Sequence, residues 1–242
     1  MENNYYYNNY GYPTAAQAES ELSLSRYVAS VMRRVYGKMF LGLLVTAITS
    51  LLVLTNETLM TLFLSSRITF FILAIAELGL VFYLSARIDK LQPATATALF
   101  YLYAVLNGVT LTPIFLIYTG SSIALTFGIT SVTFGAMCLY GYVTKQDLSK
   151  MGAILFMALI GLILCTIVNL FLHSSTMNWI ISLAGVAIFV GLTAWDTQNI
   201  KRMVEVADPG QTGKIATLGA LSLYLDFINL FIYLLRIFGS RD

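Results

Sequence analysis

Four ionisable side chains lie in stretches of sequence that are otherwise apolar. Asp226 lies near the middle of 218–238, Glu77 lies mid-way along an earlier run, and Arg87 and Asp196 each end one. A carboxylate deep in hydrocarbon costs from a few kcal/mol to roughly 10 or more, so it is expected to face a partner or a watery cavity. The pattern indicates ion or proton chemistry inside a membrane, the alternative being buried acids held only for structural reasons.

Asp196 and Asp226 are the candidate gate. If they meet where the last two apolar runs pack, they cannot both ionise cheaply in a poorly hydrated site, and they would share a proton and titrate as a coupled pair. Arg87, predicted at the same end of the bundle, would favour the ionised form of the nearest acid. The three residues would form a proton-sensitive latch. The two aspartates are also candidate calcium ligands, because calcium prefers oxygen atoms.

Glu77, Asn107 and Asn229 are candidate pore-lining or ion-lining residues, because they carry polar groups within apolar runs. Structural alternatives stay open at this point. Glu77 would then bond a neighbouring backbone group, Asp196 would be a polar residue at a helix end, and Arg87 would be a cation that reaches back to the membrane surface.

The composition excludes several classes of protein. The chain has 242 residues, of which 58% are hydrophobic and 11% charged, whereas an average soluble domain is about 25% charged. A net charge of +2 is too small to argue for nucleic acid. His173 is the only histidine, which removes histidine-rich metal sites and Ser-His-Asp triads from consideration. Cys138 and Cys165 lie in apolar runs and are expected to be free thiols. We therefore expect no cofactor.

Seven apolar runs are each near the ~20 residues that a spanning helix needs. They predict an all-α polytopic membrane protein, a seven-helix bundle with the C-terminal helix at its centre, because Asp226 must be shielded from lipid. Pro113 is expected to loosen the third run. The runs are 37–55, 68–86, 96–118, 121–143, 152–172, 179–197 and 218–238.

The N-terminal segment differs in composition from the rest. Residues 1–23 begin with an Asn/Tyr-rich run and are predicted to form a disordered cytoplasmic tail. Residues 24–38 alternate basic and apolar side chains, which favours a short amphipathic helix on the inner membrane face. We expect 24–242 to be a single transmembrane domain.

The Lys and Arg residues predict the orientation. The positive-inside rule places the N-terminus in the cytoplasm and the C-terminus outside, because eleven of the fourteen basic residues fall on one side. The eleven are Arg26, Arg33, Arg34, Lys38, Arg87, Lys90, Lys145, Lys150, Lys201, Arg202 and Lys214; Arg67, Arg236 and Arg241 lie on the other side.

Three motifs carry a resemblance to a known family. LNGVTLTPIF at 106–115, AWDTQNIK at 194–201 and ALSLYLDFINLFIYLLRIFG at 220–239 resemble the corresponding spans of the Bax inhibitor family. The resemblance implies that Asp196 and Asp226 fall on the family's paired pH-sensing aspartates, and that Arg87 pairs with the sixth-span acid. It also implies a pH-dependent calcium leak, cell-death suppression in eukaryotic members and an inner-membrane location in bacterial ones.

The leading hypothesis is a pH-sensitive calcium leak channel gated by the two aspartates, with lipid, calcium and protons as partners. We expect acid to open it, because protonating Asp196 would release Arg87. An intramembrane aspartyl protease is disfavoured since the second acid lacks a Gly-x-Gly-Asp pattern, so we expect no enzyme. The alternatives are an interaction protein that modulates a membrane protease or another complex through residues 1–30, and a proton-coupled carrier.

Overall fold

The structure is a computed structural model that describes residues 15–64 and 66–240. Within those residues it is all-α, as predicted, with no strand. The helices are α1 (Ala15–Thr55), α2 (Glu57–Leu64), α3 (Arg67–Arg87), α4 (Pro93–Leu111), α5 (Ile114–Ile117), α6 (Gly120–Val143), α7 (Ser149–Leu172), α8 (Ser175–Val206) and α9 (Thr212–Phe238).

Seven of the described segments are long and apolar enough to cross a membrane, which confirms the predicted polytopic bundle. They are α1, α3, α4 together with α5, and α6 to α9. Hydroxyl side chains begin two of them, since Thr119 accepts a hydrogen bond from the Ser122 amide at 3.2 Å and Ser174 accepts one from Met177 at 3.3 Å. The predicted membrane orientation stays a prediction.

The last helix, α9, is the most buried span in the described part of the chain. In its most apolar 18-residue window 67% of residues are buried, against 6% in the span that includes α3. It packs against α1, α4, α6 and α8. This burial shields Asp226 from lipid, although the position of α9 at the centre of the bundle stays a prediction.

The third span breaks where the sequence predicted a loosened turn. Helix α4 ends at Leu111 and α5 resumes at Ile114, on either side of Thr112 and Pro113. The Gly108 carbonyl near the break accepts hydrogen bonds from the hydroxyls of Ser50 at 2.6 Å and Thr112 at 3.1 Å. Such side-chain donors are what makes a proline break tolerable at membrane depth.

The N-terminal predictions need two corrections. Residues 1–14 lie outside the described residues, but 15–23, expected to be disordered, begin a helix of 41 residues, consistent with its Ala-, Glu- and Leu-rich sequence. Residues 24–38 belong to the same helix and do not form a separate surface helix. Val28, Val31, Met32 and Val35 are buried in the core, because one face of this segment packs inside the bundle.

Candidate functional site

Asp196 and Asp226 meet inside the bundle, where their carboxyl groups are in hydrogen-bonding contact. Asp226 is only 4% exposed, and Asp196 is partly buried. Helix α8 does not end near Asp196, as the apolar run suggested, but continues to Val206. Asp196 therefore lies within the helix, where α8 packs along α9.

The pair has the geometry of a proton site. A hydrogen bond between two carboxyl groups requires a proton on one of them, because an ionised carboxylate only accepts. The Asp226 Oδ2 atom is buried and has no hydrogen-bond donor among the described residues. A buried, unsatisfied oxygen of this kind costs free energy, so the arrangement favours a proton held between the two acids.

Residues from three helices lie near the pair. Tyr36 of α1 and Cys138 of α6 lie beside each other and beside Thr197 of α8, and Cys138 lies within electrostatic range of both aspartates. The Thr197 hydroxyl donates to the Thr193 carbonyl of its own helix at 2.8 Å. Sequence analysis did not identify Tyr36 or Cys138 as neighbours of the acids. The one feature of the sequence that could have pointed to them is that each carries a polar atom within an apolar helix.

The structure does not bring Arg87 to Asp196. Arg87 is exposed at the end of α3, and the ion pair recorded in the described part of the chain joins Arg202 to Asp147. Helix α3 packs against α2 and α4, which leaves its last turn away from α8. The ion pair predicted between Arg87 and Asp196 is therefore absent from the described residues, and of the three predicted latch residues only the two acids come together.

Glu77 and Asn107 belong to a second polar cluster. Glu77 accepts hydrogen bonds from the Thr110 hydroxyl at 2.8 Å and the Asn107 amide at 3.4 Å. The Asn107 carbonyl oxygen accepts from the Tyr224 hydroxyl at 3.1 Å, and Tyr224 shares a 2.5 Å hydrogen bond with Thr46. The alternative in which Glu77 bonds only backbone is thus not what the structure shows, since its partners are side chains.

A cavity of about 560 Å³ opens beside this cluster and is lined by Glu77, Asn107, Thr110 and Arg236. Asn229, the remaining predicted lining residue, instead donates to the Leu225 carbonyl of its own helix at 2.8 Å and is not brought to either cluster. An intrahelical bond of this kind satisfies the amide locally.

The two clusters lie on opposite faces of α9. Tyr224 and Asp226 are two residues apart, which corresponds to a rotation of about 200° around an α-helix. Asp226 lies on the face toward α8, where it contacts Asp196. Tyr224 lies on the other face, where its hydroxyl is hydrogen-bonded to Asn107 and Thr46. Helix α9 therefore separates the proton site from the Glu77 cavity and contacts both.

The acid pair as it stands is a poor calcium site. Calcium takes six to eight oxygen ligands, whereas the described residues contain no group of three or more Asp, Glu, His or Cys side chains able to hold a metal ion. The assignment of Asp196 and Asp226 as calcium ligands stays a prediction, while their geometry fits a shared proton.

Beyond Asp196, the extension of α8 anchors the loop between α6 and α7. Arg202 donates to Asp147 at 2.7 Å, and Gln198 accepts from the Leu148 amide at 2.9 Å. Bonds from the Ser149 amide and side chain and from Arg202 hold the pKa of Asp147 well below its usual range. The loop thus fixes α8 at the end where Asp196 lies.

The fold and the site define an all-α integral membrane protein with a hydrogen-bonded pair of acids buried between its last two helices. Residues 28–242 match the family model described as inhibitor of apoptosis-promoting Bax1. The chain belongs to the Bax inhibitor family.

Relatives support this assignment over nearly the whole chain. The chain is 51% identical to inner membrane protein YbhL of Escherichia coli (strain K12) over 213 residues, covering 87% of this chain and 91% of that protein. It is 46% identical to a protein of Borreliella burgdorferi, with coverage of 87% and 91%. A Deinococcus radiodurans protein is 41% identical, with coverage of 89% and 92%.

Proposed function

We propose that this protein is a pH-sensitive calcium leak channel of the bacterial inner membrane, in which the Asp196–Asp226 pair is the proton sensor. The observation that carries the proposal is the direct contact of the two carboxyls, with a buried Asp226 oxygen that no described donor reaches. The inner-membrane location follows from the similarity to the YbhL protein, whose name states it.

The acid pair supplies a gating mechanism. With one shared proton, the hydrogen bond between the carboxyls holds α8 against α9. Without it, two carboxylates in contact repel each other at low local dielectric. The repulsion pushes the two helices apart on the side where Tyr36 and Cys138 complete the wall.

The contact of the two acids supports the opposite sign of gating to the one expected from the sequence. Acid was expected to open the channel by breaking an ion pair between Arg87 and Asp196, but Arg87 lies exposed at the end of α3. With that pair absent from the described residues, the shared proton is the closing element. We therefore propose that acid closes the pathway and that loss of the proton opens it.

The Glu77 cavity offers a path for the ion on the other face of α9. Glu77, Asn107 and Thr110, which carry carboxylate, amide and hydroxyl groups, line about 560 Å³ of space together with Arg236. Oxygen atoms of these types are the ligands that calcium exchanges for its hydration water. The proposal is for transport and not for enzymatic catalysis, with lipid, calcium and protons as the partners.

Calcium flux into proteoliposomes that contain a calcium dye tests the proposal. We expect wild-type flux to rise with pH, and we expect Asp196→Asn and Asp226→Asn to lose that dependence, because an amide cannot exchange the shared proton. Asp208→Asn is the matched control, since Asp208 is an exposed acid outside the spans, and it should keep the wild-type profile.

Two outcomes would contradict this function. Wild-type pH dependence retained in both Asn variants would remove the acid pair as the sensor. Flux no greater than in protein-free vesicles at every pH would remove the channel itself.

A further inference from the structure

A groove runs along the outside of the bundle between α1 and α6. One cavity of about 470 Å³ lies between the Ala29–Tyr36 stretch of α1 and the Phe134–Tyr142 stretch of α6. A second, of about 410 Å³, is lined by a later stretch of α1, an earlier stretch of α6 and residues of α4, α5 and α9. The lining residues advance along α1 as they recede along α6, so the two cavities follow one another along an antiparallel pair.

The walls of the first cavity are apolar and leave room for a ligand. Met32 and Phe134 are among its lining residues, and Tyr36 and Cys138 form its floor. Gly135 also lines it, and a Cβ atom added to Gly135 would have no neighbouring atom within 4 Å. The space above the floor is therefore open, and Cys138 in that floor lies within electrostatic range of both aspartates.

The charge at one end of this cavity is positive. Arg33 lines it and is exposed. The Lys201 ammonium lies 5.1 Å from the ring centroid of Tyr142, another lining residue. The described lining residues include no carboxylate. The positive-inside pattern predicts that this end faces the cytoplasm, where basic pockets between membrane helices bind anionic lipid headgroups.

The dimensions favour a lipid chain over a partner helix. An α-helix is about 10–12 Å wide with its side chains. A flexible acyl chain is narrower and fits the open space beside Gly135.

We propose that the α1–α6 groove binds an anionic phospholipid, with an acyl chain against Met32, Gly135 and Phe134 and the phosphate on Arg33. The guanidinium forms paired hydrogen bonds with phosphate oxygens. The bound chain covers the Tyr36–Cys138 floor and excludes water from that side of the acid pair. The binding site does not depend on the calcium leak proposed above.

Native mass spectrometry of the detergent-purified full chain, titrated with phosphatidylglycerol or phosphatidylcholine, tests the site. We expect one phosphatidylglycerol bound in preference to phosphatidylcholine. Arg33→Gln should weaken phosphatidylglycerol binding about tenfold, as expected for loss of a charged hydrogen bond. Gly135→Leu should abolish it by filling the cavity.

Matched controls lie on the same helices. Arg34→Gln removes a neighbouring exposed arginine that does not line the cavity, and Gly128→Leu places the same side chain at an α6 glycine that also faces open space. Both should bind like wild type. The proposal would be overturned if wild type and Gly135→Leu retained phosphatidylglycerol equally, or if wild type showed no preference over phosphatidylcholine. It would also be overturned if wild type bound a protein chain in place of lipid and Gly135→Leu released that chain.

Discussion

Asp226 is a buried acid whose carboxyl group contacts another acid but has one oxygen without a hydrogen-bond partner among the described residues. It is 4% exposed and contacts Asp196, while its Oδ2 atom meets no described donor. Burying an ionised carboxylate without compensation is expensive, and a proton between the two acids removes that expense. The geometry at this position therefore favours a shared proton, and Arg87 lies apart from it.

Asp226→Asn is expected to unfold at the same temperature as wild type or higher at pH 7.5. Its amide donates permanently to the Asp196 carboxylate, so no proton has to be retained. Asp226→Leu should lower stability by about 1–3 kcal/mol, because it leaves Asp196 without that partner. Thermal unfolding in detergent compares the three proteins. Equal destabilisation by the two substitutions would show that the acid pair is not held by a hydrogen bond.

Tyr224 shows how single side chains hold the helices together. It is fully buried on α9, and its hydroxyl reaches Asn107 on α4 and Thr46 on α1. Its ring packs edge-on against Phe100 and Tyr103 with centroids 5.7 Å away in each case. The Glu77 cluster is consequently attached to the same helix that carries Asp226.

Tyr224→Phe is expected to destabilise the protein by about 1–3 kcal/mol, because the substitution leaves the buried Asn107 oxygen without its donor. Unfolding measured by denaturant titration in mixed micelles gives the difference. Tyr140→Phe is the control, since Tyr140 is 42% exposed and its hydroxyl makes a long hydrogen bond of 3.4 Å with Gln146. Similar losses in both variants would remove the special role assigned to the Tyr224 hydroxyl.

At the scale of the whole molecule, close backbone contacts decide where α8 lies. A Cβ atom added at Gly141 of α6 would collide with the backbone carbonyl of Ala194 on α8. That contact is two residues from Asp196, and α8 in turn packs along α9. Small residues allow such approaches in membranes, where the association of helices depends on packing.

Gly141→Ala is expected to lower the free energy of unfolding by about 1–3 kcal/mol, because the added methyl group forces two backbones apart. Gly128→Ala on the same helix adds a methyl group in open space and should leave stability unchanged. Thermal midpoints of the two variants in the same detergent provide the measurement. A Gly141→Ala protein as stable as Gly128→Ala would mean that α6 and α8 adjust freely at this contact.

The sequence by itself determined the class of the protein, its helical spans and its break at Pro113. These features follow from local rules. A spanning helix must be apolar over about 20 residues, and a proline has no N–H to donate within a helix. The extended start of α1 at Ala15 and the end of α8 at Val206 lie beyond the apolar runs, so hydropathy alone placed those boundaries too narrowly.

The tertiary structure alone decided which side chains meet. It joined Asp196 to Asp226, placed Tyr36 and Cys138 beside them, and left Arg87 apart. The reason is physical: lipid is as apolar as the interior of the bundle, so the faces of a membrane helix that pack against protein differ little in hydrophobicity from those that face the bilayer. Only the packing of the helices then selects the partners of each polar group.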